Sequence, residues 1–353
     1  MASGLDSAIA AETVLSHADG EKGLIWVRGY TLERLVAEQG YEGAVAVLWE
    51  GFAGEGLTRE SIRSALGAGR AAAFARLGAW LGAASGRTLG EGVRLCLAAL
   101  PEASAPADIV GALAVGVAAL LRARAGEDPV APDPALATAA DLLRMIAGAP
   151  VEASLAEALE TYLAAVIDNG LSASTFTARC IASTEASLAS SVTGAWCAFT
   201  GIRHGGAPGP VLDMLDELER AGDIEAWVEA KLARGERLVG FGHRVFRVRD
   251  PRAEILGEAL RRLGPEAGRL AFAAEVERRV LAVLERLKPG RRLRTNVELG
   301  AALLLEAVGL PRDAFTPVFA LARCPGWIAH ALEQKKTGRM IRPASAYVGP
   351  RPA

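Results

Sequence analysis

Apolar residues recur at helical spacing along almost the whole chain, and Gly or Pro punctuates most of the joins, so the pattern predicts a succession of helices. They fall at Leu32–Glu38, Glu42–Gly51, Arg59–Leu81, Gly90–Leu100, Ala107–Ala125, Pro134–Ile146, Leu155–Ile167 and Ser174–Ser183. A second series falls at Glu185–Phe199, Pro210–Ala221, Ile224–Ala233, Pro251–Leu263, Ala271–Leu287, Val297–Val308 and Pro317–Lys335. Alternating β-branched runs are nearly absent; the strand-like pieces are Gly23–Arg28 and Leu238–Gly240. Abundant Ala and Leu with only 5% aromatic residues fit an all-α fold. No internal repeat or low-complexity segment interrupts the series.

One helix admits two readings. The apolar run Ile109–Leu121 is too short to span a bilayer and reads as buried, but its Gly111 and Gly116 suit either a tight core or close packing between subunits. At 353 residues, 51% of them hydrophobic, the chain has room for one large domain and a smaller one. A net charge of -2 gives no global bias toward nucleic acid or an anionic membrane. The amino terminus has no basic region followed by an apolar core, and Cys96, Cys180, Cys197 and Cys324 lack redox or metal-ligand spacing. The expectation is a cytoplasmic protein whose cysteines are small packing residues, with no metal site.

Candidate chemistry lies in the second half. His204 and His243 sit in glycine-flanked turns, Arg203-His204-Gly205-Gly206 and Gly240-Phe241-Gly242-His243-Arg244, and Thr295-Asn296-Val297-Glu298 follows. Two imidazoles and a carboxylate are the parts needed to take a proton from carbon and hold the enolate that forms. Each alone is an ordinary loop residue. Their surroundings "RHGGAPGPVLDML", "GERLVGFGHRVFRVRDPRAEIL" and "TPVFALARCPGWIAHALEQ" resemble, in order, three hallmark segments of the citrate synthase family. The resemblance starts at "AAETVLSHADGEKGLIWVRGYTLERLVAE", continues through "LSASTFTARCIAST" and closes with "RMIRPASAYVGP".

That resemblance implies a two-domain, all-α homodimer: residues 1–203 with 304–353 form a large helical domain, and 204–303 form a small inserted one. It implies condensation of acetyl-CoA with oxaloacetate and thioester hydrolysis to citrate and CoA, with no cofactor beyond the acyl-CoA substrate. A 2-methylcitrate synthase using propionyl-CoA is the alternative, since one methylene discriminates weakly; a catalytically weak metabolite-binding or assembly protein is the alternative of another class. His204 would hydrogen-bond the thioester oxygen, His243 the keto oxygen, and Glu298 would stand where most members have an aspartate base. A citrate/2-methylcitrate synthase-like subgroup is similar in carrying "NVE" and "GGAPGPV". Arg252, Arg323 and Arg342 would hold oxaloacetate carboxylates, Arg342 from the partner subunit, and Arg247, Arg244 and Arg249 would face CoA phosphates. In "VIDNGLSAST", Val166 and Asn169 replace two histidines of the family pattern and Ser172 replaces an asparagine. Asn169 would still hydrogen-bond oxaloacetate, without positive charge.

Overall fold

The computed structural model describes residues 9–202, 204–205, 208–242, 246, 248–264, 269–288 and 293–350. Helices dominate: α1 Leu32–Trp49, α2 Arg59–Phe74, α3 Leu89–Ala98, α4 Pro106–Arg124, α5 Thr138–Ala147, α6 Ala153–Ala165 and α7 Ala173–Ala182. They continue as α8 Leu188–Phe199, α9 Pro208–Ala221, α10 Ile224–Ala233, α11 Pro251–Leu263, α12 Leu270–Leu287, α13 Val297–Ala307 and α14 Phe315–Thr337. The first two expected helices are one element broken at Gly40, whose φ of 58° only glycine adopts freely. Conversely, α2 stops at Phe74, and the expected continuation to Leu81 is replaced by two 3-10 turns in the glycine-containing stretch Leu77–Ala84.

The expected strand at Gly23–Arg28 is β2 (Leu24–Val27), central in an antiparallel sheet with β1 (Ser16–Asp19) and β3 (Tyr30–Thr31). Ile25 and Val27 face the core. In place of a strand at Leu238–Gly240, Phe241 forms an isolated antiparallel bridge with Thr295, beside bonds from Asn296 N to Gly240 O (2.9 Å) and from Gly242 N to Arg294 O (2.7 Å).

Helix α4 is enclosed by its own chain. It is 19 residues, long and apolar enough to cross a membrane by length and composition, so the run's expected shortness does not decide. What decides is cover: every residue from Ile109 to Leu120 is buried by the chain itself, with α2, α3, α5 and α14 packed around the helix. A Cβ on Gly111 would lie 2.4 Å from the Gly69 carbonyl carbon of α2, and one on Gly116 would lie 2.8 Å from Cys96 Sγ of α3. Gly111 and Gly116 thus serve close packing inside the chain. Gly111→Ala is expected to cost about 2–3 kcal/mol by overpacking two backbones that cannot separate; denaturant unfolding at parental stability would contradict this. The cysteines divide: Cys96 and Cys324 are buried packing residues as expected, whereas Cys197 is exposed and Cys180 partly so, on outward positions of α8 and α7.

Helix α14 positions the site. Pro325 has no N–H for the carbonyl of Leu321, and the Tyr41 phenol supplies that bond instead (3.2 Å), while Trp49 Nε1 donates to Pro325 O (3.0 Å). At Gly326 the helix comes so close to the α6–α7 loop that a Cβ would meet Ile167 O at 2.7 Å and Asp168 Oδ1 at 2.8 Å.

Candidate functional site

Five of the residues singled out from sequence line one cavity of about 160 Å³: Asn169, His204, Arg252, Glu298 and Arg323. Helix α6 and its end contribute Tyr162 and Val166, the start of α13 contributes Val297, Glu298 and Ala301, and α14 contributes Phe319 and Arg323. Larger concavities of about 470 Å³, beside the 3-10 turns, and about 770 Å³, between α11 and α12, hold none of these groups.

His204 is held in a defined tautomer. Its Nε2 receives the backbone N–H of Ser174 at 3.2 Å, in the first turn of α7, and lies 2.8 Å from Ser174 Oγ. An amide N–H can only donate, so Nε2 presents its lone pair and the ring proton sits on Nδ1. Burial, then the Arg323 charge, push the imidazole pKa down to about 4, keeping the ring neutral at physiological pH. Such an imidazole offers an Nδ1–H to an oxygen without giving the proton up easily. Ser172, which departs from the family pattern, caps α7 by accepting from Thr175 N, a task serine and asparagine share.

Glu298 lies in the first turn of α13, where the capping Asn296 side chain accepts its backbone N–H at 2.9 Å. Burial raises the Glu298 carboxyl above the ordinary glutamate range, against lowering by the Gly240 N–H, Asn296 and Arg252. A carboxylate made more basic in this way is suited to accepting a proton.

The arginines differ. Arg323 is 2% exposed; its Nε donates to Val166 O at 2.8 Å, and its guanidinium lies over the Phe319 ring. Among the described residues no carboxylate is within ion-pair distance of it. Burial lowers its pKa to about 10, so it remains charged at neutral pH. The Asp168 carboxylate acts on it only from beyond ion-pair distance, and a buried cation so weakly compensated is costly unless an anion joins it. Arg252 is oriented by a two-pronged pair with Asp250, Nε to Oδ1 and Nη2 to Oδ2 both at 2.9 Å, and Asp250 also caps α11 and accepts from Val297 N. Arg249 pairs with Glu33 at 2.9 Å and with Glu254, carboxylates that occupy it where phosphate was expected. Arg342 is exposed on the segment after α14 and does not line the cavity. His243, Arg244 and Arg247 lie outside the described residues.

Behind Asn169 runs a buried polar chain that sequence reasoning missed. Arg179 Nη1 bonds Glu333 Oε2 (2.5 Å) and donates to His330 Nδ1 (3.0 Å), so His330 Nε2 carries the ring proton toward Asp168 Oδ2 (3.2 Å). Ser16 Oγ donates to the same carboxylate and accepts from Gly170 N. The chain ties β1, α7 and α14 to the loop that carries Asn169.

Comparison with known proteins agrees in extent with the motifs. A family model described as citrate synthase, C-terminal domain, matches residues 4–344. A relative from Mycobacterium tuberculosis is 48% identical over 196 residues, 56% of this chain and 52% of its own length, so the match spans about half of that relative. The citrate synthase of Haloferax volcanii is 35% identical over 370 residues, covering 98% of this chain and 95% of its own. The crystal structure of citrate synthase from Thermotoga maritima superposes with a TM-score of 0.86 at 27% identity, covering 100% of this chain and 97% of its own.

Proposed function

We propose that this chain, which belongs to the citrate synthase family, condenses acetyl-CoA with oxaloacetate and hydrolyses the resulting thioester to citrate and CoA. The observation that carries the reading is the single cavity bringing together a neutral imidazole, a carboxylate of raised pKa and two buried arginines. Glu298 takes a proton from the acetyl methyl group. The thioester oxygen, gaining charge, accepts from His204 Nδ1–H, and this bond strengthens as the enolate forms. The enolate carbon attacks the keto carbon of oxaloacetate, and His243 protonates the alkoxide. Water then cleaves the thioester, releasing CoA. Arg323 and Arg252 pair with oxaloacetate carboxylates, Asn169 adds a neutral hydrogen bond, and Arg342 completes the set from a second copy in a homodimer. Arg247, Arg244 and Arg249 face CoA phosphates, Arg249 after exchanging one of its carboxylates.

The division into a large domain (1–203 with 304–353) and a small one (204–303) belongs to the same reading. It is supported by a cavity whose walls come from both sets, so that closure of one on the other would expel water from the reacting groups.

The test is release of free CoA from acetyl-CoA, followed with and without oxaloacetate, and again with propionyl-CoA. Release that requires oxaloacetate and is faster with acetyl-CoA is expected. Faster turnover of propionyl-CoA would shift the assignment to 2-methylcitrate formation. No turnover of either, with oxaloacetate still bound, would make the chain a metabolite-binding member of the family.

A further inference from the structure

Tyr162 is the side chain in this cavity that the motifs do not explain. It sits on the last turns of α6, is 0% exposed, and packs edge-on against Phe319 with ring centroids 6.4 Å apart. Its hydroxyl has no hydrogen-bond partner among the described residues. An unpaired hydroxyl in the interior is unfavourable, and phenylalanine would fill the same volume without that cost. Four residues on, along the same helical face, Val166 closes this wall of the cavity with an apolar side chain, leaving the phenol as the polar group that α6 offers. Arg323, with no carboxylate in ion-pair contact among the described residues, is the charged group that acts on the phenol.

An O–H with no acceptor among the described residues and a guanidinium whose Asp168 carboxylate lies beyond ion-pair distance, lining one cavity, call for the same further partner: an anionic oxygen. We propose that Tyr162 is a substrate-binding residue whose phenolic O–H donates to the oxaloacetate carboxylate that Arg323 neutralises. This rests on the functional reading above and adds a contact on the wall where Val166 has no polar group to give. Burial pushes the phenol pKa upward despite the arginine, so the hydroxyl stays a donor throughout the neutral range. A hydrogen bond from a neutral donor to a charged acceptor is among the stronger ones, and the enclosure keeps water from replacing it.

Tyr162→Phe deletes one oxygen and preserves the ring. Oxaloacetate titrated calorimetrically into the parent and into Tyr162→Phe, without acyl-CoA, is expected to bind the variant about 10- to 100-fold more weakly. The thermal midpoint without ligand is expected to hold or rise, and KM for acetyl-CoA to stay unchanged. Equal oxaloacetate affinity in the two proteins would overturn the role of Tyr162 while leaving the functional reading intact. A fall of several degrees in the unliganded midpoint would show that the phenol has a structural partner and would also overturn it. If the parent itself does not bind oxaloacetate, the functional reading fails and the proposal with it.

Discussion

Replacing Glu298 by glutamine is expected to slow CoA release by about 10²–10⁴-fold and, at the same time, to raise the thermal midpoint at neutral pH. The first effect follows from removing the base. The amide has the shape of the carboxyl and keeps its place in the first turn of α13, but it cannot accept a proton from carbon. The second follows from linkage. Burial raises the Glu298 pKa above its unfolded value, so between the two the folded state binds a proton that the unfolded state has released. The stabilisation this provides is present below the ordinary glutamate pKa and is lost as pH rises through the raised one. At neutral pH the ionised side chain is therefore a burden on the fold, and glutamine removes it. The same shift sets the pH profile: kcat/KM should fall on the acid side with an apparent pKa above the ordinary glutamate range. His204, neutral down to about pH 4, does not contribute that limb. Glu298→Asp should lose activity too, on the order of 100-fold, because the base is withdrawn by one methylene, about 1 Å. Near-parental turnover in Glu298→Gln would remove the residue from the role of base.

What the sequence made legible was helices and motif residues; what it concealed were contacts between positions far apart. The spans expected at Ile224–Ala233 and Pro251–Leu263 coincide with α10 and α11, because apolar spacing and a capping Asp are local signals. Asn169, His204, Arg252, Glu298 and Arg323 meet in space over more than 150 positions of sequence, which no periodicity can announce. Their gathering was expected only through the resemblance. Tyr162 stayed hidden because "TYLAAV" reads as any buried helix, and the orphaned hydroxyl exists only in three dimensions. Asp250 was visible in "DPRA" but became the orienter of Arg252 only once the pairing geometry was known. Arg249 had a local warning: Glu254, five residues on, is one of the carboxylates that occupies it. Helix α4 left two readings open for a related reason, since Gly111 is equally suited to a neighbouring subunit or to Gly69 of its own chain, and only the structure shows the second contact.

Arg323→Met should separate binding from stability in the opposite direction from an ordinary core mutation. The guanidinium is buried, charged at neutral pH and in ion-pair contact with no carboxylate among the described residues, Asp168 acting on it only from farther off, so the unliganded fold carries a poorly compensated, desolvated cation. Its pKa, lowered to about 10, says the same: the fold is favoured by deprotonation that neutral pH does not bring. Methionine follows much of the same path and removes that charge. It leaves the Val166 carbonyl without the Arg323 donor, a loss of about 1–3 kcal/mol, whereas the desolvation it relieves is of the order of several kcal/mol. The unliganded variant should therefore melt at or above the parental temperature. Binding should go the other way. Loss of the pairing with a substrate carboxylate in a dry enclosure is worth roughly 3–4 kcal/mol, so kcat/KM for oxaloacetate should fall about 10²–10³-fold. Saturating oxaloacetate at about 100 times Kd would stabilise the parent by about 2.7 kcal/mol, and the same concentration should leave Arg323→Met almost unshifted. A variant that keeps the parental shift would mean that the anion binds elsewhere and that the buried arginine serves the fold alone. A variant that loses the shift while melting no lower would identify Arg323 as a cation whose counter-ion is the substrate.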